Sequence, residues 1–168
     1  RANVHLDLRL AASDGRAERI PWLIRSQPKY LVENGLVFLE LTGQYLRDKF
    51  GANWRSQAVE LANIFDAMHY YENSGEDRVV IIAGVLPDES NRGYEFLFAA
   101  PVEGLDGKPV VNLTAMLARI EEMQKQGTAT VEVTISGKRK IYLDLSHRND
   151  INRRVSGRYQ IPALNNVK

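Results

Sequence analysis

The chain is 168 residues long, 44% apolar and 26% charged, with no cysteine. That suits one globular domain able to bury most of its unfolded surface without disulfide or metal. It excludes thiolate nucleophiles, iron–sulfur clusters and cysteine-ligated zinc. The net charge of +1 is unevenly placed: residues 137–168 hold eight Lys/Arg against two Asp, so they carry +6 and residues 1–136 carry −5. Apolar runs such as Val79 to Leu86 fall far short of bilayer length. No secretory leader is visible, and cytoplasm is the expected compartment.

The elements follow in chain order. Val4, Leu6, Leu8 and Leu10 alternate with polar residues, as in a half-buried strand, and Ile20, Trp22 and Ile24 resume the alternation after Ser13-Asp14-Gly15. An N-terminal hairpin is expected, its second strand held to an edge by Pro21. From Tyr30 to Phe50 apolar residues nearly encircle a helical axis, which predicts a buried helix ending at Gly51. A second helix, capped by Asn53, carries Trp54, Ala58, Leu61, Ala62, Phe65 and Met68 on one stripe. Val79 to Leu86 reads as a strand covered on both faces, Pro87 to Gly93 as a soluble loop, and Tyr94 to Ala100 as the returning strand.

Leu105 to Pro109 is a turn region. Asn112 or Thr114 then caps a helix with Leu113, Met116, Leu117, Ile120 and Met123 inward, closed by Gly127. Thr128 to Ile135 and Ile141 to Leu145 alternate cleanly across Ser136-Gly137-Lys138. Their apolar sets must share one face, so odd positions pair with odd. Setting Glu132 opposite Asp144 would juxtapose like charges. A three-residue loop is therefore expected, with Ile135 facing Arg139, Val133 facing Ile141 and Val131 facing Leu143. The order ββ-αα-ββ-α-ββ predicts an α+β fold with an antiparallel sheet built from hairpins, a helical hairpin and a third helix packed on it. Residues 1–145 are expected to form the single domain, and 146–168 a basic C-terminal segment packed on it or extending from it.

Catalytic signatures are missing. No Gly-x-Ser-x-Gly, Ser-x-x-Lys or phosphate-cradling glycine motif occurs. Ser146, His147 and Asp150 supply triad residue types, but neighbours on one local segment seldom converge. Asp66-Ala67-Met68-His69, with Glu72 a turn further on, has metal-ligand spacing, yet lacks a second Glu-x-x-His element. No cofactor is expected, and an enzyme of undetected class is the weakest of three readings.

The basic end is the strongest candidate site. Lys138, Arg139 and Lys140 crowd a hairpin tip, while Arg148, Arg153, Arg154, Arg158 and Tyr159 follow around the apolar pair Ile151 and Val155. Cations beside an aromatic can neutralise phosphates and stack a base. The leading expectation is a non-enzymatic module that engages nucleic acid, another polyanion or an acidic protein surface there. Its bland counterpart is a surface helix whose arginines pair with the acidic body. The alternative function is a protein–protein interaction or assembly subunit, as a homo- or hetero-oligomer, whose sheet edge takes a strand from another chain.

Overall fold

The computed structural model describes residues 18–23, 27–68 and 77–167. In chain order these form β1 (Tyr30–Glu33), β2 (Leu36–Glu40), α1 (Gly43–Phe50), α2 (Trp54–Gln57), α3 (Val59–Met68) and β3 (Val80–Val85). Then come β4 (Ala100–Leu105), β5 (Lys108–Pro109), α4 (Leu113–Lys125), β6 (Thr130–Ile135), β7 (Arg139–Asp144) and α5 (Arg148–Tyr159). The strands pair antiparallel in the order β1-β2-β3-β4-β6-β7, with β5 on β4. The α+β class and the antiparallel sheet agree with the sequence pattern. The first expected strand, Val4 to Leu10, lies outside the described residues. Of the second, residues 20–23 form no strand; Ile20 is buried and the Pro21 carbonyl accepts from the Gly43 amide.

The expected helix from Tyr30 to Phe50 is corrected. Its first half is the β1–β2 hairpin, turned by Asn34 (φ 51°) and Gly35 (φ 78°). Both central residues of a type I′ turn need positive φ, which is why Asn-Gly is a strong hairpin signal. A Cβ on Gly35 would also collide with the Asn91 amide and the Leu86 carbonyl. What looked like an all-round apolar helix is a strand covered on both faces. Leu36 and Phe38 enter the main core with α4, Leu39 packs toward α1–α3, and Val37 packs toward α5. Phe38 is fully buried and Leu39 half-buried. Helix begins only at Gly43, where Thr42 Oγ1 accepts from the Tyr45 amide at 3.0 Å.

The next predicted helix is broken at Ala58 into α2 and α3, which bury Trp54, Leu61, Ala62 and Phe65 as expected. β3 sends Val80 and Ile82 to the main core and Ile81 to the cluster under α1–α3. The returning strand is displaced: it is β4, beginning at Ala100, while residues 94–99 are irregular. Asn112 Oδ1 caps α4 through the Ala115 amide at 2.7 Å. The β6–β7 register is the one the alternation and charges dictate, with Ile135↔Arg139, Val133↔Ile141 and Val131↔Leu143. Lys140 Nζ reaches diagonally to Glu132 Oε2 at 2.9 Å. Among the described residues no helix is long and apolar enough to cross a membrane.

Candidate functional site

Helix α5 lies against the β1–β2 hairpin, where Ile151 and Val155 meet Val32 in a small apolar cluster. Its cations follow from that seat. Arg148 Nε donates to the fully buried Glu33 at 2.9 Å, and its Nη1 reaches Gln124 on α4 at 2.8 Å. Arg154 grips Asp88 through Nε at 2.8 Å, with Arg158 Nη1 3.6 Å from the same carboxylate. The bond from Arg154 holds the Asp88 carboxyl well below the usual range, outweighing its burial. Arg158 Nη1 and Tyr159 Oη both donate to the Pro87 carbonyl. Arg153 is the most exposed cation of this helix, beside the exposed Asp150 at 3.4 Å.

These contacts also correct the reading of the 87–93 loop as a mere soluble connection. Asp88 and Asn91 are buried, and Asn91 Nδ2 donates to the carbonyls of Asn34 and Leu86. The Asn34 amide in turn donates to Asn152 Oδ1 of α5 at 2.9 Å. The loop, the Asn34–Gly35 turn and α5 are thus one polar network. The Ser146 hydroxyl turns to the Ala129 carbonyl, and the start of α5 carries no side-chain cap. Lys138, Arg139 and Lys140 sit apart from the helix, exposed at the β6–β7 tip, with Arg139 over the Phe96 ring at 6.0 Å. The structure therefore does not gather the eight predicted residues on one free basic face. Of the metal candidates, Asp66 pairs with Arg55 at 3.0 Å, while His69 and Glu72 lie outside the described residues. Among the described residues no group of acidic or histidine side chains has a metal-binding arrangement.

A second arrangement had no sequence signal. After α5 the chain turns at Gln160 (φ 53°) and residues 164–167 run back along the outer edge of β1. The Val32 amide donates to the Leu164 carbonyl at 2.7 Å, and the Asn166 amide to the Tyr30 carbonyl at 3.2 Å. Asn166 Oδ1 takes the Tyr30 amide at 2.7 Å, which completes the edge. Val167 is buried in the core cluster that also holds Leu31 and Leu113, and its carbonyl accepts from Thr114 Oγ1 of α4 at 3.1 Å. The segment thus occupies a channel between a sheet edge and the first turn of a helix. That turn is held by Glu40, whose Oε1 accepts from the Leu113 amide at 3.1 Å. A polar cleft of about 490 Å³, lined by Lys29, Glu40, Arg78, Asn112, Thr114, Ala115 and Ala118, lies along the same helix start.

Comparison with known proteins fits this geometry. A family model described as PDZ domain matches residues 22–165. An Arabidopsis thaliana protein called protease Do-like 12, mitochondrial, is 32% identical over 94 residues, which is 56% of this chain and 15% of that protein. This chain thus matches only a small part of that relative's length. The expectation of a nucleic-acid or polyanion site is corrected by these findings. The family match points to a protein-interaction module instead, and Arg148, Arg154 and Arg158 are engaged by Glu33 and Asp88.

Proposed function

Because this chain belongs to the PDZ-domain family, we propose that it is a protein–protein interaction module that takes an extended segment of a partner onto its sheet edge. Main-chain hydrogen bonds supply affinity in such docking, and pockets for alternate side chains supply specificity. The observation that carries the reading is the seating of residues 164–167. They add to β1 as a strand would, and they lodge Val167 against α4. The proposed site is that channel: β1 offers the amide of Val32 and both backbone groups of Tyr30, and the core cluster that holds Leu31 and Leu113 receives the apolar side chain. A partner segment would present an aliphatic side chain there, in place of Val167. The likeness to a Do-like protease supports a docking role beside proteolytic machinery.

The test is binding in trans. A synthetic peptide of residues 161–168 is titrated against the wild-type chain and against Val167→Ser, which loosens the resident segment. Burial of a valine is worth roughly 1.5–3 kcal/mol, so the variant is expected to bind about tenfold to a hundredfold more tightly. Asn166→Ala, which removes the bonds to Tyr30 and Pro28, shifts affinity the same way. Equal affinity for all three forms, or no binding by any, contradicts the proposal.

A further inference from the structure

The sheet has two edges, and they differ. β1 is closed by residues 164–166, whereas β7 has no strand beyond it among the described residues. The Tyr142 amide points outward, since it donates to Tyr94 Oη at 3.0 Å. With a side-to-side period of two, the backbone groups of Lys140 and Asp144 point the same way. The Asp144 carbonyl is taken by Asn34 Nδ2 at 3.1 Å. That leaves the amide and carbonyl of Lys140, the carbonyl of Tyr142 and the amide of Asp144 without a hydrogen-bond partner among the described residues.

At the loop end of this gap the surface is apolar and basic, with exposed Glu95 beside Phe96 and with Asp144, at the far end of the strand, paired to His147. Phe96 is 64% exposed and Tyr142 50% exposed. Lys138 and Arg139 are exposed and pair with no carboxylate among the described residues. Lysines at an edge ordinarily repel stray strands. Here they select as well as repel: a basic strand is turned away, while an acidic one meets uncompensated charge. Tyr94 adds a second filter, because its hydroxyl holds the amide that an incoming antiparallel strand would claim.

We propose that β7 is a second docking edge, which takes an extended acidic segment of a partner protein through Lys140 and Tyr142, with apolar side chains against Phe96. The edge is separate from the β1 channel, and either can exist without the other. The probe is a short peptide alternating glutamate and valine, titrated into the full chain and followed by backbone amide shifts. The peptide should move Lys140 and Tyr142 and leave Tyr30 and Val32 in place, and its lysine–valine counterpart should not bind. Tyr94→Phe frees the Tyr142 amide and should tighten binding about threefold, the worth of one hydrogen bond. Arg139→Glu should weaken it about tenfold. No binding at millimolar peptide overturns the proposal. So do shifts confined to β1, or binding that Tyr94→Phe leaves unchanged, which is the mark of charge attraction without strand pairing.

Discussion

The Arg148 guanidinium closes on the Glu33 carboxylate, with Nε 2.9 Å and Nη2 2.8 Å from Oε2, where Glu33 has no exposed surface. Asn152 Nδ2 satisfies the other oxygen at 2.9 Å, so the end of β1 is bound to α5 by a buried ionic network. Removing one partner of such a pair strands a charge, at a cost of about 3–5 kcal/mol. Arg148→Met should lose that much in denaturant unfolding. Adding Glu33→Gln should recover most of it, since the stranded charge is then gone. A single variant as stable as wild type would mean that Glu33 finds water or another cation.

Asp88 makes stability depend on acid. Its carboxyl is held far below the ordinary range, chiefly by the bond from Arg154, with help from the Ser90 amide and hydroxyl against burial. A depressed folded pKa contributes stability that is present above the unfolded value, about 3.9, and is lost as pH falls through the folded value. The stability gap between wild type and Asp88→Asn should therefore be full near neutrality. It should narrow below about pH 4. A gap that stays constant from neutrality into acid would contradict this role.

The β6–β7 loop places Gly137 at φ 72° and Lys138 at φ 58°. An L-residue pays about 1–2 kcal/mol for that conformation. Gly137→Ala should therefore cost about 1 kcal/mol, although nothing lies near enough to clash. Gly84 also has open space around it but no positive φ. Gly84→Ala should be neutral, or stabilising by about 0.5 kcal/mol. Equal losses at both positions in thermal melts would show that the turn is not setting the difference.

Phe38 is the largest fully buried side chain among the described residues. Truncation to alanine should cost about 3–5 kcal/mol. The expectation of burial is met, but through a strand between β1 and β3 and not through a helix. An unchanged unfolding midpoint would mean that the β2 face repacks without a cavity.

What could be read from the residues was local, and what could not be read was distant. The β6–β7 register follows from alternation and one like-charge clash, and it matches the structure residue for residue. The α4 boundaries follow from Asn112 and the glycine after Gln126. The 30–50 stretch went astray because apolar residues on every side fit a buried helix or a doubly covered strand equally well. Asn34-Gly35 was the discriminating signal. The β1 channel depends on Leu31 meeting Asn165, a partnership with no period or spacing to announce it. The arginines of α5 are visible as charges in sequence. Their carboxylate partners, Glu33 and Asp88, sit far back along the chain, so a network inside the domain looks like a free basic surface.

β1 and the start of α4 are proposed here as a seat for an extended segment. Backbone amide shifts of Val167→Ser, titrated with the peptide of residues 161–168, test it most directly. Saturable shifts are expected at Tyr30, Val32 and Leu113 through Leu117, with slowed hydrogen exchange at the Val32 amide. Saturable binding that leaves Val32 and Leu113 unmoved would contradict it.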